Sequence, residues 1–231
     1  MRLEEVKSLN HSDDFIFGVA IGRDGNFNHC SILYKWGDEI RTIDFYNQII
    51  RRQITIGDLG HWDYLYVKYD RDYIIDPIAE QIPSLCELIK EKNSKITFGI
   101  RFTETRFNQE GELILANGDF GLTCATFVLA LLDGGGITLI DLPDWQQRRE
   151  DEAWQKKILN YYEVEMPGTY DDSLLEHYKT NIGCFRYRPE EVAAASSSTN
   201  LPTNFIYCEE YGRRINEALD YGLESYKGAY L

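Results

Sequence analysis

The chain has 231 residues, 43% of them hydrophobic and 27% charged, which suits one sizeable globular domain. A formal charge of −14 opposes phosphate backbones and argues against a nucleic-acid partner; the basic pair Arg148-Arg149 runs straight into Glu150, Asp151 and Glu152 and reads as a solvated helix face. No segment approaches the about 18 apolar residues of a membrane span, and Met1-Arg2-Leu3-Glu4-Glu5 lacks the apolar run of a signal peptide, so a cytoplasmic location is expected.

The first third is patterned for strands. Phe15 to Ile21 is an apolar run closed by the turn residues Arg23-Asp24-Gly25-Asn26. Asn28 to Lys35 and Glu39 to Phe45 are two more strands, joined as a hairpin across Trp36-Gly37-Asp38. Tyr64 to Tyr69 is a fourth. Asp76 to Lys92 carries Ile78, Ile82, Leu85, Leu88 and Ile89 at helical spacing, with Pro83 as an alternative start. Ile96 to Phe102 and Glu112 to Ala116 are expected to pair across Asn108-Gln109-Glu110-Gly111. Leu122 to Asp133 has no polar side chain from Phe127 to Leu132, which predicts a buried helix ending at Gly134-Gly135-Gly136.

Beyond Asp141 the pattern is helical. Pro143 to Tyr162 is expected to turn Trp145, Trp154, Ile158 and Leu159 inward; Asp171 to Lys179, Pro189 to Ala195 and Asn204 to Tyr221 follow, with Ala193 to Thr203 read as a mobile linker. Strands first, a buried central helix, then several helices predict an α+β class.

Five cysteines, Cys30, Cys86, Cys124, Cys184 and Cys208, are odd in number and never spaced C-x-x-C, which implies neither a disulfide framework nor a zinc site. Gly134-Gly135-Gly136 follows a helix, whereas a phosphate loop precedes one, and the acidic residues lack EF-hand spacing. No metal or cofactor is expected.

Cys124 is the cysteine placed for chemistry. It falls at the first turn of the buried helix, where backbone N–H groups lack intrahelical partners and the helix dipole is positive. Both favour the thiolate, the nucleophilic form, and the same N–H groups suit a tetrahedral oxyanion. Gly118 and Gly121 upstream leave room for a substrate. His29 heads the strand Asn28-His29-Cys30-Ser31-Ile32-Leu33-Tyr34. A two-residue turn at Gly37-Asp38 would pair Lys35 with Ile40, Ser31 with Asp44 and His29 with Tyr46, leaving Asp44 a same-face diagonal neighbour of His29. A carboxylate there would fix the imidazole tautomer and stabilise the imidazolium. Tyr46 is an alternative partner of His29. His61, in Gly57-Asp58-Leu59-Gly60-His61-Trp62-Asp63, is a rival base. His11 and His177 read as surface residues, Cys30 and Cys86 as core.

A histidine heading the first strand of a hairpin, a polar residue late in its second strand, and a cysteine opening a later buried helix resembles the permuted NlpC-type papain-like hydrolases, whose relatives include lecithin:retinol acyltransferase-like enzymes. Asn28-His29-Cys30-Ser31-Ile32-Leu33 looks like the family's histidine strand and Thr123-Cys124-Ala125-Thr126-Phe127-Val128 like its cysteine helix; the similarity covers roughly residues 14 to 135. Asp44 stands where the family often has His or another polar residue.

The resemblance implies an antiparallel sheet packed on the Cys124 helix, a catalytic core over 1–140 and a helical extension over 141–231. It also implies that His29 deprotonates Cys124, which attacks the carbonyl of a peptide, amide or acyl substrate to form an acyl-enzyme that water or an amine resolves. The opposing expectation is a non-catalytic binding protein on the same scaffold, whose acidic surface meets a basic partner while Cys124 only packs.

Overall fold

The computed structural model describes residues 3–5, 15–24, 27–46, 49–53, 65–68, 76–93, 95–165, 168 and 172–221. His11 and His61 lie outside the described residues.

The fold is mixed α+β. Strands β1 (Leu3–Glu5), β2 (Phe17–Asp24), β3 (Phe27–Trp36), β4 (Glu39–Phe45), β5 (Ile49–Gln53) and β6 (Leu65–Lys68) form one antiparallel sheet in the order β1-β6-β2-β3-β4-β5. The β3–β4 hairpin turns at Gly37, whose φ of 60° is a left-handed conformation that glycine adopts without strain. Its ladder runs from Trp36↔Glu39 through Lys35↔Ile40 to Ile32↔Ile43 and goes no further, although β3 continues back to Phe27 and β4 on to Phe45. The two strands therefore part at the end that carries His29 and Asp44.

Alternation puts Phe17, Val19, Ile21, Cys30, Ile32, Tyr34, Ile43 and Phe45 on one face, all buried in the main core. Against that face lie α1 (Asp76–Lys92) and α2 (Cys124–Gly134). Every side chain of α2 from Ala125 to Leu132 is buried, which is why its sequence is apolar all round. Phe127 stacks on Phe45 at 6.1 Å between centroids and takes Phe107 edge-on at 5.6 Å. Glu87 on α1 accepts from Tyr34 Oη at 2.7 Å and from Arg41 at 2.9 Å, tying that helix to the hairpin. Pro83 does not start α1. The helix runs through it, because the one backbone hydrogen bond it forfeits is outweighed by burying Ile82, Leu85, Cys86 and Ile89.

The carboxyl-terminal half holds α3 (Arg149–Asn160), α4 (Asp172–Asn181), α5 (Pro189–Ala195) and α6 (Phe205–Tyr221). α5 is buried along its whole length; it packs on β2, β3 and α2, and α6 packs on it.

Several expectations from the sequence are corrected here. The segment after Asn108 pairs not with Ile96 to Phe102 but with its immediate neighbour: β7 (Arg106–Phe107) meets β8 (Leu113–Ile114). The earlier run instead lies parallel to Leu122 through a bridge at Phe98. Pro143 to Tyr162 is not one helix. A short 3-10 turn at Leu142–Asp144 is followed by α3, which ends in the π-type turn Tyr161–Glu165, and Trp145 lies off the helix, donating from Nε1 to Arg186 O at 2.9 Å.

The buried residues of α3 are Asp151 and Gln155, so the acidic run read as solvated instead supplies an internal anion. Asp151, 1% exposed, accepts from Arg148 Nε at 2.7 Å and Arg188 Nη2 at 2.8 Å, and Arg148 also pairs with Glu191. Charge order in a sequence gives signs but not partners, and these partners come from α5 and the segment before it. The expected linker is likewise a packed connection: Ser196 and Ser197 donate to Ala193 O and Ala194 O, closing the end of α5. Among the described residues no helix is long and apolar enough to cross a membrane.

Candidate active site

Cys124 is the first residue of α2. Thr123 is its N-cap, and the cap is reciprocal: the Thr126 N–H donates to Thr123 Oγ1 at 3.2 Å while the Thr123 N–H donates to Thr126 Oγ1 at 2.7 Å. Phe127 N–H donates to Thr123 O at 2.8 Å. Among the described residues the first-turn N–H groups of Cys124 and Ala125 have no hydrogen-bond partner, and they are the pair an oxyanion would meet. Upstream, Gly121 rides directly over the Thr97 backbone; a Cβ at Gly121 would lie 1.9 Å from Thr97 O, so only glycine allows this approach. Leu122 N–H donates to Thr97 O and Gly99 N–H to Leu122 O, at 3.0 and 3.1 Å, which fixes the entry to the helix.

From the sheet, His29 Nε2 lies 3.1 Å from Asp44 Oδ2, and both side chains are buried, at 7% and 1% exposure for the residues. Tyr46 sits edge-on to the imidazole, 6.2 Å between centroids, so it flanks the ring while Asp44 holds the nitrogen. The imidazole also interacts with the Cys124 sulfur. With Nε2 turned to Asp44, Nδ1 is the nitrogen left for the sulfur. Cys124, His29 and Asp44 thus form one chain of contacts, and Cys124 remains partly exposed.

Cys30 joins them, which sequence reasoning missed. It lies in the same packed cluster as Cys124, close enough for its thiol and its backbone N–H to favour a negative charge on the Cys124 sulfur. Side chains at 29 and 30 leave β3 on opposite faces, and a strand N–H points along the plane of the sheet. A sulfur near both side chains and that N–H approaches β3 beyond the last β3–β4 pair, Ile32↔Ile43. Alternation correctly put Cys30 in the core, where it has no exposed surface, but the signal for its contact with Cys124 is the early end of the ladder, which no residue pattern carries.

The electrostatics follow from these contacts. The Cys30 thiol, donating to the Cys124 sulfur, does most to hold Cys124 well below the ordinary thiol range; burial opposes it, and the His29 imidazolium and Cys30 N–H reinforce it. Burial works against a charge on His29, but the Cys124 thiolate and then Asp44 outweigh it and lift the imidazole to about 10. Burial first, and then the adjacent Cys124, push Cys30 well above the ordinary range. These directions favour a thiolate–imidazolium pair with a neutral thiol beside it.

The strand that carries His29 is anchored from the opposite half of the chain. Asn28 Nδ2 donates to Glu190 on α5 at 2.8 Å and to Asn216 on α6 at 2.6 Å, and Arg23 Nε donates to Asn28 Oδ1 at 3.1 Å. His177, expected at the surface, instead has its Nε2 buried and its ring 5.0 Å from that of Phe120. Cys86 and Cys208 are fully buried, and Cys184 donates to Ile100 O at 3.2 Å. Two concavities lie away from Cys124: one of about 140 Å³ between Thr103 and Leu139, and one of about 520 Å³ under Ser197, Asn200 and Tyr207. Among the described residues no cluster of His, Cys, Asp or Glu has the form of a metal site. Comparison with protein-family models, curated proteins and solved structures finds no match to this chain.

Proposed function

We propose that this protein is a cysteine-nucleophile hydrolase or acyltransferase of the permuted papain-like kind, acting on an amide, isopeptide, thioester or ester carbonyl. The observation that carries the reading is the meeting of Cys124, at the open first turn of a buried helix, with an imidazole held on its other nitrogen by a buried carboxylate. That is the geometry of an activated nucleophile: a base beside it and a third group orienting the base.

In this reading the Cys124 thiolate attacks the carbonyl carbon, and the N–H groups of Cys124 and Ala125 receive the oxyanion. His29, already protonated, gives its proton to the leaving amine, alcohol or thiol as the tetrahedral intermediate collapses to a thioester. It then takes a proton from the water or amine that attacks that thioester. Asp44 keeps the ring aligned and its charge favourable throughout.

The test is iodoacetamide alkylation of the native protein at about pH 6, where an ordinary thiol is almost wholly protonated. Peptide mapping is expected to find Cys124 alkylated far ahead of the other cysteines, with the advantage lost in His29→Ala. If Cys124 reacts no faster than a free thiol, it is packing alone and the protein is a binding module on this scaffold.

A further inference from the structure

From the packing of Cys124, a partly exposed residue opening α2, against the core cluster that holds the fully buried Cys30 at the parted end of β3 and β4, we infer that these two cysteines form an oxidation site for hydroperoxides, in which Cys124 is the attacked sulfur and Cys30 resolves it to an internal disulfide. The inference rests on Cys124 being the nucleophile of the proposed function and deepens it, because it assigns that same sulfur a reversible off state.

Three features of the site point this way. Cys124 is the residue of the two with exposed surface, and Cys30 and then His29 draw its thiol towards the thiolate; thiolate character with access selects which cysteine a peroxide attacks. Cys30 has no exposed surface, so an outside thiol or oxidant cannot meet it; the sulfur beside it is that of Cys124. Cys86, Cys184 and Cys208 belong to other surroundings: Cys86 is buried on α1, Cys184 bonds to Ile100 O and Cys208 is buried on α6. The resolving thiol is therefore positioned before oxidation begins, which favours the disulfide over further oxidation.

The chemistry balances without another reagent. The Cys124 thiolate attacks one peroxide oxygen, the O–O bond breaks, and the departing hydroxide or alkoxide takes the proton of the His29 imidazolium. Cys124 is then a sulfenic acid. The Cys30 sulfur attacks the Cys124 sulfur, the S–O bond breaks, and the leaving hydroxide takes the Cys30 proton. Two thiol sulfurs have lost two electrons, and the peroxide has been reduced to water, or to water and an alcohol. A dithiol reductant reverses the state by exchange at the Cys124 sulfur.

The experiment treats the full chain with one equivalent of hydrogen peroxide at neutral pH, then denatures it in iodoacetamide and reads intact mass and peptide map. The expected product has lost two hydrogens, carries a Cys124–Cys30 cross-linked peptide, and regains both alkylatable thiols after dithiothreitol. In Cys30→Ser and Cys30→Ala, the second keeping the site apolar, Cys124 is expected to accumulate instead as a dimedone-reactive sulfenic acid and then an irreversible oxide.

The inference is overturned if wild-type Cys124 goes to the sulfenic or sulfinic acid while Cys30 stays alkylatable. Native alkylation near pH 6, run in parallel, separates the two readings: fast Cys124 alkylation without a disulfide sinks the oxidation site alone. A disulfide with slow alkylation sinks the acyl-transfer reading alone, and the loss of both results removes both.

Discussion

At the residue scale, the protonation of two side chains decides what the site can do. Cys124 is held low by the Cys30 thiol and the His29 imidazolium, while His29 is lifted to about 10 chiefly by the Cys124 thiolate and then by Asp44, against the opposing effect of burial. The ion pair therefore exists between those two titrations. Alkylation of Cys124 should rise as pH passes upward through the depressed thiol titration, stay high across neutrality, and lose its ion-pair advantage as His29 deprotonates near 10.

Asp44→Asn removes an anion that favours the imidazolium, so the alkaline limb should move to lower pH, and turnover of an activated ester should fall by about 100-fold or more, the range of a misdirected general acid–base. A rate profile of Asp44→Asn that overlays the wild type would remove Asp44 from the site. This trio was legible in the sequence because hairpin arithmetic at Gly37-Asp38 puts Asp44 diagonal to His29 and because a helix start is readable at Leu122. Cys30 was not, since its contact depends on where a ladder ends, a backbone event that no residue pattern carries.

At the element scale, Cys124 is only as well placed as the first turn of α2. Thr123 caps that turn, and its exchange of hydrogen bonds with Thr126 settles two backbone donors. Thr123→Ala should cost about 1 kcal/mol in urea unfolding and also slow Cys124 alkylation, because the cap and the thiol share one turn. Thr123→Ser should restore most of both. A more severe change is Gly121→Ala, whose Cβ would sit inside the contact radius of Thr97 O. Overpacking of this kind costs about 3 kcal/mol, and the strain falls on the segment that leads into Cys124, so the melting temperature and the alkylation rate should fall together. A stable, fully reactive Gly121→Ala protein would show that the backbone contact is not needed. Neither the reciprocal Thr123–Thr126 cap nor the approach of Thr97 to Gly121 was legible in the sequence: the fourth cap position holds Thr in place of the usual Glu or Gln, and the second contact joins segments that no local periodicity relates.

At the scale of the whole molecule, the half of the chain without readable motifs holds the histidine strand in place. α5 lies on β2 and β3, and Asn28, next to His29, is fastened to Glu190 and Asn216 on α5 and α6. α5 itself is held from behind by a buried ion cluster in which Asp151 takes Arg148 and Arg188, and Arg148 also takes Glu191. Hydropathy misjudges this cluster because it scores Arg and Asp as surface residues one at a time, although charges with partners can be interior.

Its energetic role is set by what removal leaves behind. Asp151→Ala leaves Arg148 with Glu191 but takes the buried carboxylate from Arg188, and breaking a largely buried pair costs about 3 kcal/mol, the lower end of the range because Arg188 is a quarter exposed. Urea unfolding should show that loss as a lower midpoint with an unchanged slope, since the surface exposed on unfolding stays the same. Native alkylation at Cys124 should keep its wild-type rate in the folded fraction, because Asp151 bonds to none of the residues around the sulfur. A slowed Cys124 in a variant that remains fully folded would mean instead that the cluster positions the site through α5 and Asn28, and that the two halves of the chain are coupled in chemistry as well as in stability.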